Sequence, residues 1–117
     1  MANPNIVAVS TIYGRTVGAA LTTTSTSYLT GTTNYVKKIN SIIVANVSGI
    51  NDADVTVIMT VDAIDRRLAY QVTVPAKSTL VVLSKDTSVY LEEADIIKAY
   101  ASANSALDII ISYEEIA

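Results

Sequence analysis

The chain is 117 residues long and half of its residues are hydrophobic, but it contains no Phe, Trp, Cys or His, and its aromatic residues are seven tyrosines. A net charge of -3 argues against a nucleic-acid surface, which needs clustered Lys and Arg. The apolar runs of four or five residues are far shorter than the ~20 that a membrane-spanning helix requires. Because His and Cys are absent, Ser-His-Asp and Cys-His catalytic arrangements cannot form within the chain.

The first part of the chain predicts an extended arm followed by two strands. Residues 1–5 are polar and have neither the basic nor the apolar region of a secretory signal, so we expect an arm there. Extended segments follow at Ile6–Tyr13 and Thr16–Leu21, and Gly14 separates them. Gly18 lies inside the second segment and predicts a bulge or the close approach of another backbone.

Thr and Ser dominate the next segment, Thr22–Asn34. Its composition predicts a solvated loop, with a short edge strand at Ser27–Thr30. A second interpretation is a binding loop, because hydroxyl-rich loops lie on protein surfaces.

The central part of the chain has the clearest strand patterns. Tyr35–Asn46 is the longest strand candidate, and its apolar block at 42–44 indicates burial on both faces of a sheet or a sheet corner. Val55–Val61 has the most regular period of two and predicts another strand. A six-residue connection at Asp62–Arg67, in which a single helical turn could form, leads from that strand to an antiparallel partner.

The partner strand covers residues 68–74, where every second residue is apolar, and Pro75 ends it because proline lacks a backbone donor. The residues of this strand that are expected on its apolar face are Leu68, Tyr70, Val72 and Val74. Polar turns separate the remaining strand candidates, which are Ser78–Leu83, Val89–Leu91, Ile96–Tyr100 and Leu107–Tyr113.

Eight or nine short strands, closely spaced turns and no helical period predict an all-β fold, a single-domain antiparallel β-sandwich of jelly-roll type. The sandwich is expected to span residues 6–117, behind the arm at residues 1–5. The segments STLVVL (78–83) and LDIIIS (107–112) carry almost no charge and would template pairing with other chains at open sheet edges. We therefore expect self-association to cover them.

The acidic residues are the remaining candidates for chemistry. Glu92, Glu93 and Asp95 are close together, as are the acids of Glu114–Glu115, and either group could be imagined as a glycosidase pair. Adjacent acids on a strand point to opposite faces, and charged turns are ordinary protein surface. The acidic pair in 52–54 lacks the Gly and the distant Glu of a calcium loop. We therefore predict no catalytic, metal or cofactor site.

Five segments together resemble small virion structural proteins of tailed bacteriophages, and the likeness is greatest to those of phages that infect marine cyanobacteria. Each segment alone is a plain strand-and-turn pattern, but together they are distributed over most of the chain. The segments are Met1–Val7, Lys38–Asn46, Val72–Leu80, Tyr90–Asp95 and Ile111–Ile116.

The resemblance implies a non-enzymatic particle component that is built as a β-sandwich and present in many copies. Similar proteins usually carry Gly in the acidic corner where this chain has Ala94. We therefore expect the shape of this turn to differ from that in the similar proteins. We expect the class of protein to be the same.

The leading hypothesis is a capsid decoration (cement) protein of the virion, made in the host cytoplasm and assembled as a homotrimer. It would bind the major capsid protein where neighbouring capsomers meet, with the arm adding a strand to a neighbour. Its expected partners are copies of itself and the major capsid protein or another virion protein, with no nucleic acid, membrane or cofactor. The arm residues assigned to the capsid contact are Asn3, Pro4, Asn5 and Ile6.

Two alternatives stay open at this point. One is a neck, tail or head-fibre subunit of the virion, which the copy number per particle would separate from capsid decoration. The other is a host-glycan-binding module whose contact loop contains Tyr28, Thr32 and Thr33.

Overall fold

The computed structural model describes residues 11–117, which form nine β-strands and one short 3-10 helix. All strand pairings are antiparallel, and they divide the strands between two sheets that pack together. The predicted all-β, antiparallel sandwich is therefore confirmed. The strands are β1 (Ile12–Ala20), β2 (Thr26–Thr30), β3 (Val36–Asn46), β4 (Ala53–Val61), β5 (Ile64–Val74), β6 (Thr79–Leu83), β7 (Val89–Leu91), β8 (Ile96–Ala101) and β9 (Leu107–Ile116), and the helix is Lys85–Thr87.

The strand pairing is that of one long hairpin folded back on itself. β1 pairs with β9, β2 with β8, β3 with both β6 and β7, and β4 with β5. The resulting strand orders are β1-β9-β3-β6 in sheet 1, with β7 also beside β3, and β2-β8-β4-β5 in sheet 2. This order is the jelly-roll arrangement that the sequence predicts.

The core lies between the two sheets and consists mainly of branched aliphatic side chains. Alternate residues of β3 and β9 point inward from sheet 1, and alternate residues of β4 and β8 point inward from sheet 2. Because Val and Ile fit a pleated surface well, a core without Phe or Trp is compatible with this fold. The fully buried residues of this layer include Ile39, Ile42, Val44, Val55, Val57, Ile97, Ile109 and Ile111.

β1 differs from the sequence prediction in two respects. The expected break at Gly14 is wrong, because one strand runs from residue 12 to residue 20. The bulge expected at Gly18 is also wrong, since the pairing of β1 with β9 keeps one register throughout. The part of the Ile6–Tyr13 segment before residue 11, and the arm, lie outside the described residues.

The connection between β4 and β5 is a two-residue turn at Asp62 and Ala63, so the predicted six-residue link with a helical turn is wrong. Both residues have left-handed backbones, with φ of 53° and 63°, and Val61 pairs with Ile64 directly across the turn. Two positive φ values in succession are typical of the tight hairpin turn whose twist matches that of the strands. The sequence gives no Asn-Gly or Asp-Gly signal for it.

β5 carries a bulge opposite Thr56. Val55 pairs with Val72 and Val57 with Ala69, so two residues of β5 stand opposite one residue of β4. Gln71 has a φ of 49°, and its backbone N–H donates to the hydroxyl of Thr56 at 3.1 Å. The extra residue shifts the alternation, so the expectation that Tyr70 faces the core is wrong. Its side chain is 57% exposed.

The two uncharged segments occupy different places in sheet 1. Residues 79–83 form β6, which is an edge strand of sheet 1 and therefore has an open side that another chain could pair with. Residues 107–112 belong to β9, which lies between β1 and β3, so this segment has no open edge that self-association would need to cover. The exposed apolar residue of β9, Ile110, therefore lies on the outer face of the sheet and not at its edge.

Candidate interaction surfaces

A row of apolar residues crosses the outer face of sheet 1 from one edge to the other. In the strand register, Gly18 of β1 lies beside Ile110 of β9, Ile110 beside Ile43 of β3, and Ile43 beside Val81 of β6. The side chains of Ile110 and Val81 are 44% and 56% exposed, and that of Ile43 is half-buried. We call the three side chains Ile43, Val81 and Ile110 the apolar ridge.

Beside the ridge, the outward positions of β1 are held by very small residues except at Thr16, which lies between the two glycines. A Cβ built on Gly14 would meet nothing within 4 Å among the described residues, and one built on Gly18 would meet only the carbonyl oxygen of Ile109 at 4.0 Å. Ala20 continues the same face. These three positions form a shallow trough, which we call the β1 trough, and no packing within the described chain requires its glycines.

Polar groups flank the ridge on both sides along the strand direction. On one side, Lys38 lies opposite Glu114 in the β3–β9 ladder, and the amide of Asn40 donates to the Glu114 carboxylate at 2.9 Å. On the other side, Asp108 lies between Ala20 and Ala45. The face therefore has an apolar centre and a charged rim of both signs, which is the usual make-up of a protein interface.

The inner side of the same sheet ends in a buried ionic cluster around Lys37. The Lys37 side chain is 8% exposed, donates to the Thr30 carbonyl at 2.7 Å and lies 3.8 Å from the Glu115 carboxylate. Arg15 contacts the same carboxylate at 3.2 Å. Burial, and then the negative charge of Glu115, raise the pKa of the neighbouring Tyr113 hydroxyl. These contacts tie β1, β2, β3 and β9 together at one end of the sandwich.

The two adjacent acids of β9 are therefore divided between the faces, as predicted. Glu115 binds Arg15 and Lys37 on the inner side, whereas Glu114 binds Asn40 on the outer side. The two carboxylates do not converge on one point, which a glycosidase pair would require.

The acidic corner between β7 and β8 is a hydrogen-bonded turn. The backbone N–H of Asp95 donates to the Glu92 carbonyl, and the N–H of Glu92 donates to the Asp95 carboxylate, both at 3.1 Å. Ala94 has a φ of 69°, the left-handed conformation that favours Gly. Asp95 is only 5% exposed, and its carboxylate accepts a hydrogen bond within the turn.

The predicted glycan-contact loop lies at the end of β2. Tyr28 sits at an irregularity in the pairing of β2 with β8, and its half-buried side chain packs against the core. Thr32 and Thr33 are exposed in a turn closed by a hydrogen bond from the Tyr35 N–H to the Thr32 carbonyl. Nothing in this geometry tests glycan binding by the loop. The proposed arm residues Asn3, Pro4, Asn5 and Ile6 lie outside the described residues.

A second surface feature is a cleft of ≈ 170 Å³ on sheet 2. β4, β5 and β8 all contribute to it, and the bulge of β5 forms part of its wall. The residues that line the cleft are Asp54, Thr56, Gln71, Tyr100 and Ser102.

No protein-family model matches the chain, and no curated protein shows significant similarity to it. Within residues 11–117, no helix is long and apolar enough to cross a membrane. The same residues contain no group of three or more His, Cys, Asp or Glu side chains placed to hold a metal ion.

The sequence contains a signal for the ridge that strand periodicity reveals. Ile42 and Val44 point inward, so the residue between them must point outward, and the same holds for Ile110 between its two isoleucine neighbours. The β1 trough has a weaker signal, because Gly14 and Gly18 are four residues apart and therefore share one face of a strand. Nothing in the sequence indicates the cleft, because it depends on the bulge at Gln71.

Proposed function

We propose that this chain is a non-enzymatic structural protein of a bacteriophage virion, a capsid decoration protein that forms homotrimers through the outer face of sheet 1. Two independent lines support the proposal. The first is the resemblance of five segments of the sequence to small virion proteins. The second is the apolar face of sheet 1, whose outer side residues 11–117 leave uncovered.

The observation that carries the proposal is the apolar block present in three neighbouring strands. The blocks are at 42–44 in β3, at 109–111 in β9 and at 80–83 in β6. Continuous apolar blocks are typical of strands buried on both faces, whereas this sheet has only one face in the core. A partner that packs on the outer face would bury the outward side chains of these strands.

Another copy of the same chain is the partner that fits this face. The apolar ridge stands beside the β1 trough, so the ridge of one copy can lie in the trough of the next, where the glycines allow close approach. The ridge and the trough are different patches, and a contact between different patches closes into a ring such as a trimer where the rotation between neighbouring copies returns to the first copy. The rim carries both Lys38 and two acids, so like copies do not repel each other there.

The size of the face sets the strength of each contact. Four strands of about nine residues, at about 4.8 Å between strands and about 3.3 Å per residue, cover about 570 Å². Three copies in a ring would bury about 1,700 Å² in total, or about 570 Å² at each of their three contacts, which is below the roughly 1,000 Å² expected of a stable interface, so the ring depends on all three contacts together.

The capsid contact is assigned to the amino-terminal arm, which would add a strand to the major capsid protein. In this arrangement the trimer presents three arms to the shell. Three arms linked in one trimer bind the shell more tightly than a single arm does. Once the first arm is bound, the other two bind at a high effective concentration. A homotrimer thus suits a protein that stabilises the junctions between capsomers.

The test compares two valines of equal exposure. Val81 belongs to the ridge and is 56% exposed, whereas Val47 lies in the loop after β3 and is 57% exposed. Val81→Lys is expected to convert the trimer to monomer, because it places an unpaired charge in the apolar contact, whereas Val47→Lys should leave the trimer intact. Equal effects of the two substitutions on the mass in solution would contradict the assignment of this face.

Attachment to particles is tested separately. Purified protein is mixed with capsids that lack it, and the bound copies are counted after sedimentation. Capsid decoration predicts hundreds of copies per particle and weaker attachment after deletion of residues 1–5. A saturation at only a few copies would instead indicate the neck or tail.

A further inference from the structure

The cleft on sheet 2 is built around strained backbone. Gln71 is not glycine, yet it has a φ of 49°, a left-handed conformation that is strained at such a residue. The bulge directs the backbone N–H of Gln71 to the Thr56 hydroxyl instead of to a carbonyl of the β4 ladder. Bulges of this kind re-aim side chains and occur often beside functional sites.

Three internal hydrogen bonds fix the walls of the cleft. The Thr73 hydroxyl donates to one carboxylate oxygen of Asp54 at 2.8 Å, and the Asp54 N–H donates to the Ser102 hydroxyl at 2.8 Å. The bond from the Gln71 N–H to Thr56 is the third. Thr56 is 1% exposed, so the floor of the cleft is closed to solvent. The Asp54 carboxylate and the backbone of Gln71 are therefore held in place before any ligand arrives.

Other polar groups of the cleft have no partner within the described chain. They are the side-chain amide of Gln71, the hydroxyl of Tyr100 and the second carboxylate oxygen of Asp54. Tyr100 lies directly opposite Thr56 in the β4–β8 ladder, and all three residues line the same cleft. Together they offer a charged acceptor, an amide that both donates and accepts, and a phenol beside an aromatic ring.

The chemistry of these groups selects a neutral, hydroxyl-rich ligand. No Lys or Arg lines the cleft, which argues against phosphate or sulfate, and a single carboxylate does not form a metal site. The Tyr100 ring is the only large apolar surface among the lining residues, so an apolar ligand would leave the polar groups unpaired. A volume of ≈ 170 Å³ corresponds to about six waters of liquid density and leaves room for one sugar ring.

We propose that this cleft binds one neutral pyranose unit of a polysaccharide. The Asp54 carboxylate and the Gln71 amide hydrogen-bond neighbouring hydroxyls of the sugar, and Tyr100 contacts its ring and a further hydroxyl. The cleft opens on sheet 2, on the opposite side of the sandwich from the apolar ridge. Trimerisation through sheet 1 therefore leaves it free, and the sugar site does not depend on the proposed assembly.

The experiment uses the full chain and an array of neutral and acidic oligosaccharides. The best neutral binder is then titrated while amide chemical shifts are followed by NMR. We expect shifts centred on residues 54–56, 71 and 100–102. Gln71→Ala and Tyr100→Phe should each weaken binding by about tenfold or more, as the loss of a hydrogen bond made by a desolvated group predicts.

Two control variants separate this site from its surroundings. Tyr70→Ala removes the exposed ring of the residue before Gln71, which does not line the cleft, and should leave binding unchanged. Tyr28→Ala tests the loop at the end of β2 and should also leave it unchanged. The proposal is overturned if no neutral oligosaccharide binds, if binding survives both cleft substitutions, or if Tyr28→Ala abolishes it. Melting temperatures of all variants establish that each one is folded.

Discussion

Gly31 is the glycine whose missing side chain the fold needs most. A Cβ at this position would lie 1.7 Å from the Glu92 carbonyl oxygen and 2.6 Å from its carbon, and both atoms belong to backbone. The acidic corner is also hydrogen-bonded to Gly31, which donates to the Asp95 carbonyl at 2.8 Å and accepts from the Ala94 N–H at 3.4 Å. Gly31→Ala must therefore push the corner away and break these bonds.

The size of the effect follows from these contacts. Overpacking costs about 1–3 kcal/mol, and each of the two backbone hydrogen bonds contributes about 0.5–1.5 kcal/mol. We expect Gly31→Ala to lower the free energy of unfolding by about 4 kcal/mol, a large part of the roughly 5–15 kcal/mol typical of a domain. At about 4 °C per kcal/mol, the melting temperature should fall by about 15 °C.

Gly49→Ala is the matched control. A Cβ at Gly49 would meet only the Cε atom of Lys77 at 3.8 Å, which is ordinary contact, and its φ is not positive. Urea unfolding followed by tyrosine fluorescence gives both free energies. Gly49→Ala should change the value by no more than about 0.5 kcal/mol. If Gly31→Ala destabilised the chain as little as this control, the described contact between residue 31 and the corner would be wrong.

Two further predictions concern backbone strain and pH. Ala63→Gly should raise the free energy of unfolding by about 0.5–1 kcal/mol, because Gly relieves the left-handed strain at φ 63° but gains freedom in the unfolded chain; a decrease in the urea midpoint would contradict the turn geometry. The Thr60 hydroxyl, and then Lys98, lower the pKa of Asp65 below its ordinary value of 3.8. Ionised Asp65 therefore favours the folded state above that value, and this contribution is lost as the pH falls through the lower folded pKa. Asp65→Asn should reduce the loss of stability between pH 5 and pH 2, measured by urea midpoints, and an unchanged loss would contradict the assignment.

Strand periodicity was enough to predict the fold because most strands here are regular. β4 and β9 alternate clearly, and Pro75 marks the end of β5 as expected. The jelly-roll order agrees with the prediction, since many short antiparallel strands with close turns have few compact arrangements. The strand order could therefore be predicted without a disulfide, a metal site or any other residue with a distinctive chemical role.

The left-handed positions could not be predicted in the same way, because none of them is a glycine. None of the four glycines has a positive φ. Asn34 and Asp62 are residues that tolerate the left-handed conformation, but others, such as Ala63 and Ala94, carry no sequence signal for it. Gly14, which sequence reasoning treats as a break, lies inside a continuous strand. Tertiary pairing has overridden local preference at each of these positions.

The candidate surfaces were predictable only in part. The outward position of Ile43 follows from its buried neighbours once the strand is known. Its alignment with Ile110 and Val81 depends on which strands are neighbours, and that information is absent from the local sequence. The cleft depends on the register shift at Gln71, and a second shift follows between Ala69 and Arg67, so Leu68 still packs against the core whereas Tyr70 does not.

The most direct test of the central claim is the mass of the full chain in solution, measured by light scattering over a range of concentrations. Association through the apolar ridge predicts a trimer of about 37 kDa, three times the chain mass of 12.4 kDa. The trimer should dissociate on Val81→Lys and persist on Val47→Lys. A monomer of 12.4 kDa at every concentration would contradict the account.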